Sequence, residues 1–175
     1  MPSRLFIDVV RPLTPHLPRA GEHTIFLAGG IRSCPDWRSS ASRLLYTLIR
    51  AGSVRPTVTV FDPTVTIFDP SLRDTDEERC DSKVIAWEYA HLKSADVVLF
   101  WFPRGDESHP VQPIALYELG VAVGSGRAIV VGAEPGYARR ETLIAQLQNA
   151  RPDLAVHDDL GSVVAAVLKA VDKCH

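Results

Sequence analysis

Short unbroken apolar runs alternate along this chain with segments of helical spacing, the pattern of a parallel sheet wrapped by helices. His23 to Ala28 (HTIFLA) is a compact apolar run that ends in Gly29-Gly30, and Asp36 to Arg50 then carries Trp37, Leu44, Leu45 and Leu48 at helical positions. VTVFDPT, ending at Thr64, is nearly repeated as VTIFDPS at Val65 to Ser71, which predicts two successive strands or a hairpin, each stopped by Asp-Pro. After the polar stretch Arg73 to Lys83, Val84 to Ser94 has helical spacing, and Asp96 opens VVLFWF, a run without polar alternation that predicts a central strand buried on both faces. Pro103 to Val111 predicts a loop and Pro113 to Val123 a helix, which Pro113 can start and Ser125-Gly126 stop. A strand over Ala128 to Gly132, a helix over Arg139 to Asn149, a short strand at Leu154 to Val156 and an amphipathic helix over Leu160 to Val171 complete the series. The sum is a doubly wound α/β domain with about five parallel strands and helices on both faces. Residues 1–22, with a short strand at Leu5 to Val10 and then prolines at 12, 15 and 18, read as an arm or edge strand, and residues 23–175 as one domain.

Composition narrows the partners. The chain has 175 residues, 46% of them hydrophobic and 23% charged, enough to bury a core without staples. A net charge of -2 and the absence of long like-charge runs leave no footprint for a nucleic acid polymer or a membrane surface, so a small polar ligand is expected. Cys34, Cys80 and Cys174 are odd in number and widely spaced, which disfavours a disulfide framework and a zinc knuckle and makes a reducing cytoplasm the expected compartment. No apolar stretch of membrane-spanning length and no leader-like segment is read.

In open α/β sheets, ligands bind at the carboxyl ends of the strands near the switch in strand order. Gly29-Gly30, the loop from Phe102 to Gln112 and the start of the following helix therefore converge on one crevice. Glu118 lies inside that helix among Ile114, Ala115, Leu116, Tyr117, Leu119, Val121 and Ala122, so the helix reads as buried nearly all round and its carboxylate as functional rather than solvated. Glu88 repeats the pattern among Ile85, Ala86, Trp87, Tyr89 and Ala90, and two carboxylates on one pocket suit retaining glycoside chemistry. Trp37 and Trp87 serve either as stacking platforms for a base or as core filling. Gly29-Gly30 is either a close approach to substrate or a plain tight turn. His91 and His109 lack a second ligand at metal spacing, and Asp96 reads as a structural cap.

FLAGGI at Phe26 to Ile31, DW at Asp36-Trp37, WEYAHLKSADVVLFWFP at Trp87 to Pro103 and QPIALYELGVAVGSGR at Gln112 to Arg127 together resemble the ordered signature of the nucleoside 2-deoxyribosyltransferase-like family. The resemblance spans about two-thirds of the chain and implies a flavodoxin-like fold and no metal or organic cofactor. It implies that Glu118 is the nucleophile attacking the anomeric carbon, that Glu88 handles the nucleobase, and that Gly29, Gly30, Asp36, Trp37, Trp87 and Gln112 help bind substrate, with Arg73 over the pocket mouth. The family's aspartate at the nucleobase position is a glutamate here, Glu88; its sugar-binding aspartate is Gln112, and its tyrosine beside the nucleophile is Phe26. The expected activity is cleavage or transfer of the N-glycosidic bond of a (deoxy)nucleoside, by a homodimer or larger homo-oligomer. The alternatives are a nucleoside 5'-monophosphate N-glycosidase, although PIALY at 113–117 lacks the serines that such enzymes use for phosphate, and a non-catalytic nucleotide-binding or sensing protein.

Overall fold

A computed structural model describes residues 7–12, 16, 22–30, 34–52, 65–68, 82–106 and 111–173. The strands are β1 (Ile7–Val10), β2 (His23–Gly29), β3 (Val65–Phe68), β4 (Val97–Phe102), β5 (Ile129–Ala133) and β6 (Val156–His157). The helices are α1 (Trp37–Arg50), α2 (Ser82–Ser94), α3 (Pro113–Gly124), α4 (Arg140–Ala150) and α5 (Leu160–Val171). Every pairing is parallel, and the sheet runs β1-β3-β2-β4-β5-β6. From β2 onward this is the flavodoxin-like order, one strand reaching backward and three forward, with the switch between β2 and β4. Ile7–Val10, within the segment read as an arm or edge strand, pairs with β3 at the outer edge, and the described residues form six strands against about five expected. Both edges of β3 are occupied by parallel neighbours, so the hairpin alternative for the duplicated VT-FDP segments does not hold at Val65–Phe68; Thr57 to Phe61 lies outside the described residues.

The unbroken apolar runs of β2 and β4 are explained by two cores, one on each side of the sheet. Ile25, Leu27, Val97, Leu99 and Trp101 face α1 and α5, whereas Phe26, Ala28, Val98, Phe100 and Phe102 face α2, α3 and α4. Strand side chains alternate faces, so each run must be apolar at every position when helices cover both sides. Asp36 caps α1 by accepting from the Ser39 N–H at 3.1 Å, and Asp159 caps α5 by accepting from the Ser162 N–H at 2.8 Å. Asp96 is a latch at the amino edge of the sheet, remote from the strand carboxyl ends: its carboxylate accepts from the Thr24 N–H at 2.7 Å and the Thr24 hydroxyl at 2.9 Å. Arg127 donates to the Lys93 and Ala95 carbonyls, tying the end of α2 to the chain that enters β5. No helix among the described residues is long and apolar enough to cross a membrane.

One sequence expectation changes here. α3 is apolar nearly all round, yet only Ala115, Leu119 and Ala122 are buried, while Ile114 and Tyr117 are 69% and 70% exposed. The sheet can cover only one side of a helix, and the outward stripe of α3, like Ile85 and Tyr89 on α2, is exposed among the described residues.

Candidate active site

At the switch point the carboxyl ends of β2 and β4 lie side by side, with Gly29 paired to Trp101. Gly29 has φ 148° and sits so close to β4 that a Cβ would lie 2.0 Å from the Trp101 carbonyl oxygen. Only glycine fits such a backbone. Gly30 is wedged against the next layer: a Cβ there would meet the Gln112 side-chain carbon at 2.5 Å and the Cys34 Sγ at 2.7 Å. Gln112 precedes Pro113, the first residue of α3, but its side chain does not cap the helix. It donates instead to the Pro103 carbonyl at 3.0 Å and toward Cys34 Sγ at 3.6 Å, so one amide joins the exits of β2 and β4 to the start of α3. Gly30→Ala is expected to displace this amide and cost about 1–2 kcal/mol, an overpacking penalty, read as a lowered urea midpoint; an unchanged midpoint would show that Gln112 has room to yield.

The acidic pair lies on the α2–α3 side of this edge. Helical spacing puts Glu118 on the flank of α3 beside Ala115 and Ala122, and Glu88 on the inner half of α2 next to Val84 and Trp87. Burial first, and then the negative charge of Glu88, push the Glu118 carboxyl up to about 7, while Arg38 pulls it down. The two glutamates therefore interact through their charges. Phe26 is fully buried in the same core as Ala115 and Leu119, so an apolar ring occupies the position where the sequence comparison expects a tyrosine. Tyr117 projects outward and does not replace it.

The other expected residues divide. Gly29, Gly30 and Gln112 come together at the crevice floor, with Gln112 buried and its amide N–H groups directed at protein atoms. Trp37, 4% exposed, lies in the α1–α5 core, where its indole N–H donates to the Gly30 carbonyl at 2.7 Å. Trp87, 9% exposed, lies in the opposite core with its ring stacked on His91 at 4.0 Å. Both tryptophan rings are packed into the cores, and Trp37 also borders a concavity. Asp36 is exposed, and its role as a cap holds its carboxyl below the usual carboxylate range, chiefly through the Ser39 hydrogen bonds. Arg73 and His109 lie outside the described residues.

Arg38 was not anticipated from the sequence. It is 3% exposed, and its Nε, Nη1 and Nη2 donate to the carbonyls of Leu27 at 3.4 Å, Gly30 at 3.1 Å and Gly29 at 3.1 Å. The available signal was a cation in the first turn of a helix, where the dipole disfavours positive charge. Cys34 and Tyr137 were also missed. Burial pushes the Cys34 thiol up against the pull of Arg38, and Tyr137 packs on Phe102 with its phenol also raised by burial.

Two concavities are described. One, of about 470 Å³, runs between α3 and α4 past Leu116, Gly120 and Leu143; the other, of about 410 Å³, lies across the sheet beside Trp37, Trp101 and Asp159. Neither is lined by Glu118 or Glu88. The first offers almost no titratable chemistry, and the carboxylates of the second are engaged as helix caps or with neighbouring Arg104 and Arg140. The glutamate pair, in which burial and the charge of Glu88 raise Glu118, is the stronger candidate for bond chemistry. Among the described residues, no group of three or more His, Cys, Asp or Glu side chains is placed to hold a metal ion.

A family model described as nucleoside 2-deoxyribosyltransferase like matches residues 22–137, the segment that runs from just before β2 through Tyr137 and contains Gly29, Gly30, Arg38, Glu88, Gln112 and Glu118. No curated protein matches the chain.

Proposed function

Because this chain belongs to the nucleoside 2-deoxyribosyltransferase-like family, we propose that it breaks the N-glycosidic bond of a nucleoside or related N-glycoside through a covalent glycosyl-glutamate. The observation that carries the reading is the half-buried Glu118 carboxyl, raised to about 7 by burial and by the charge of Glu88. In the first step a Glu118 carboxylate oxygen forms a bond to the anomeric carbon as the carbon–nitrogen bond breaks, and the bonding pair leaves on the base nitrogen. Glu88 delivers a proton to the departing base or orients it. The ester is then attacked at the same carbon by water or by an acceptor base, regenerating the Glu118 carboxylate; the two inversions give net retention. Gly29 and Gly30 let the main chain approach the substrate, and Gln112 fixes the start of the helix that carries the nucleophile.

Phe26 supplies no hydroxyl beside the nucleophile and Gln112 no negative charge for a sugar hydroxyl. Hydrolysis therefore stands beside transfer, and a 5'-monophosphate substrate beside a free nucleoside. The exposed stripes of Ile85 and Tyr89 on α2 and Ile114, Tyr117 and Val121 on α3 favour assembly into a homodimer or larger homo-oligomer. Chromatography of free base released from a panel of nucleosides and 5'-monophosphates, with and without an acceptor base, tests the activity and its acceptor. No release from any substrate, with binding retained, would favour a nucleotide-binding or sensing protein.

Glu88→Gln is expected to slow base release by roughly 10²–10⁴, the range for a positioned proton donor, with a smaller loss when the base leaves easily. Equal losses across good and poor leaving groups would mean that Glu88 acts only through structure.

A further inference from the structure

We propose that the groove between α3 and α4 is a binding site for an amphipathic small molecule, an apolar body with one anionic head, and that Arg139 receives the head. The groove has a volume of about 470 Å³, within the range of sites that enclose an organic ligand. α3 and α4 follow the parallel strands β4 and β5, so both begin at the carboxyl edge of the sheet and run side by side in the same direction. Along α4, Arg139, Thr142, Leu143, Gln146 and Leu147 recur every three or four residues and form one wall. Leu116, Leu119, Gly120 and Val123 form the facing wall on α3. Among the described residues that line the groove, Arg139 alone is charged, and it stands at the end where both helices start.

Two features of this groove call for a ligand. The first is Arg139 itself, which is exposed at the start of α4 and makes no capping bond. Among the described residues its side chain has no hydrogen bond or ion pair. Its charge bears on Tyr137, whose phenol burial keeps in the neutral form, so no carboxylate of the lining offsets it. A guanidinium at the mouth of an apolar slot, beside the positive end of a helix, suits an anion whose body fills the slot. The second feature is Gly120, in the body of α3, where glycine is the poorest helix former after proline. A Cβ at Gly120 would meet nothing within 4 Å among the described residues, so, unlike Gly29 and Gly30, this glycine answers to no close contact. Its missing side chain instead keeps the groove open. At roughly 100° per residue, Gly120 lies on the flank of α3 opposite Glu118, which makes the groove a site apart from the glutamate pair.

Isothermal titration of the full-length protein with decanoate, decanol and decylammonium, each below its micelle concentration, tests the assignment without any substrate. Decanoate is expected to bind about ten-fold tighter than decanol, the effect of one hydrogen-bonded charge at a partly solvated mouth, and decylammonium more weakly than either. Arg139→Ala should bring decanoate to the level of decanol and leave decanol unchanged. Gly120→Leu places a side chain in the groove and improves helix propensity. It should fold with a urea midpoint no lower than that of the wild type and lose both decanoate and decanol. No binding of decanoate by the wild type, equal binding of the three probes, or undiminished binding by Gly120→Leu would overturn the site. Self-association of the wild type that Gly120→Leu abolishes would also overturn it, since the groove would then seat a second copy of the chain. If Gly120→Leu does not fold, Arg139→Ala decides alone: a loss confined to decanoate supports the site, and no loss, or equal loss of decanoate and decanol, overturns it.

Discussion

Glu118→Ala is expected to abolish base release, a loss on the order of 10⁴-fold or more, as removal of a covalent nucleophile generally gives. The loss should fall on kcat and kcat/KM alike, because the missing bond forms only on the way to the ester. Glu118 is suited to this work because partial burial limits its hydration, while the cationic sugar that develops as the base departs is stabilised by an anion at short range. With its midpoint pushed up to about 7, the free protein's kcat/KM should rise with pH through neutrality as the nucleophile ionises. The fold should survive the substitution, since Ala115, Leu119 and Ala122, not Glu118, anchor α3 to the core. Stopped assays with chromatographic detection of free base, together with circular dichroism, measure both. Undiminished release by a folded Glu118→Ala protein would remove Glu118 from the chemistry.

The second large effect is on stability. In the unfolded chain Glu118 titrates near the ordinary 4.5, whereas in the folded protein burial and Glu88 raise it to about 7. Below 4.5 both states hold the proton and the group favours neither. Between 4.5 and 7 the folded state alone keeps it, so stability is progressively lost as pH rises, until above 7 a buried carboxylate must carry full charge. The loss is about 2–3 kcal/mol, reduced from the full linkage value because the side chain is not wholly dry. Glu118→Gln should therefore be more stable than the wild type by that amount at pH 8, with the difference vanishing toward pH 4.5. Urea unfolding of the two proteins at both pH values measures it. A constant difference across the range would mean that Glu118 is solvated. A nucleophile that costs the fold stability in its working form is what a site selected for reactivity should show.

Much of the architecture could be read from the chain because strong signals coincide in it. β4 is apolar at every position, α3 begins at a proline and α5 has one continuous apolar face, and each was anticipated to within about two residues, the usual boundary uncertainty of a periodic segment. The N-terminal segment could be read only as an arm or edge strand, since four residues at Ile7–Val10 carry little pattern of their own and gain their partner from β3, far along the chain. The burial of α3 was overestimated because composition does not tell which side of a helix the sheet covers. The site divides in the same way. Gly29 and Gly30 are visible as a glycine pair after a strand, but the reason only glycine fits there is Trp101 and Gln112, which no local pattern connects to them. Trp37 and Trp87 were ambiguous in sequence, because an aromatic ring that can stack on a base is equally good core material. Arg38 gave only a weak signal, a cation in the first turn of a helix, and its carbonyl partners belong to β2 and the glycine turn that follows it.

A trapped intermediate would join the geometry to the chemistry. A 2-fluoro-2-deoxy nucleoside with a reactive leaving base slows both formation and breakdown of the ester by destabilising positive charge on the sugar, which lets the adduct accumulate. Mass spectrometry of a digest after such treatment should find one added fluorosugar on the peptide containing Glu118, absent from the Glu118→Ala protein. Release of base from the wild type with no modified peptide, or with the sugar attached to a different residue, would contradict a glycosyl-Glu118 intermediate.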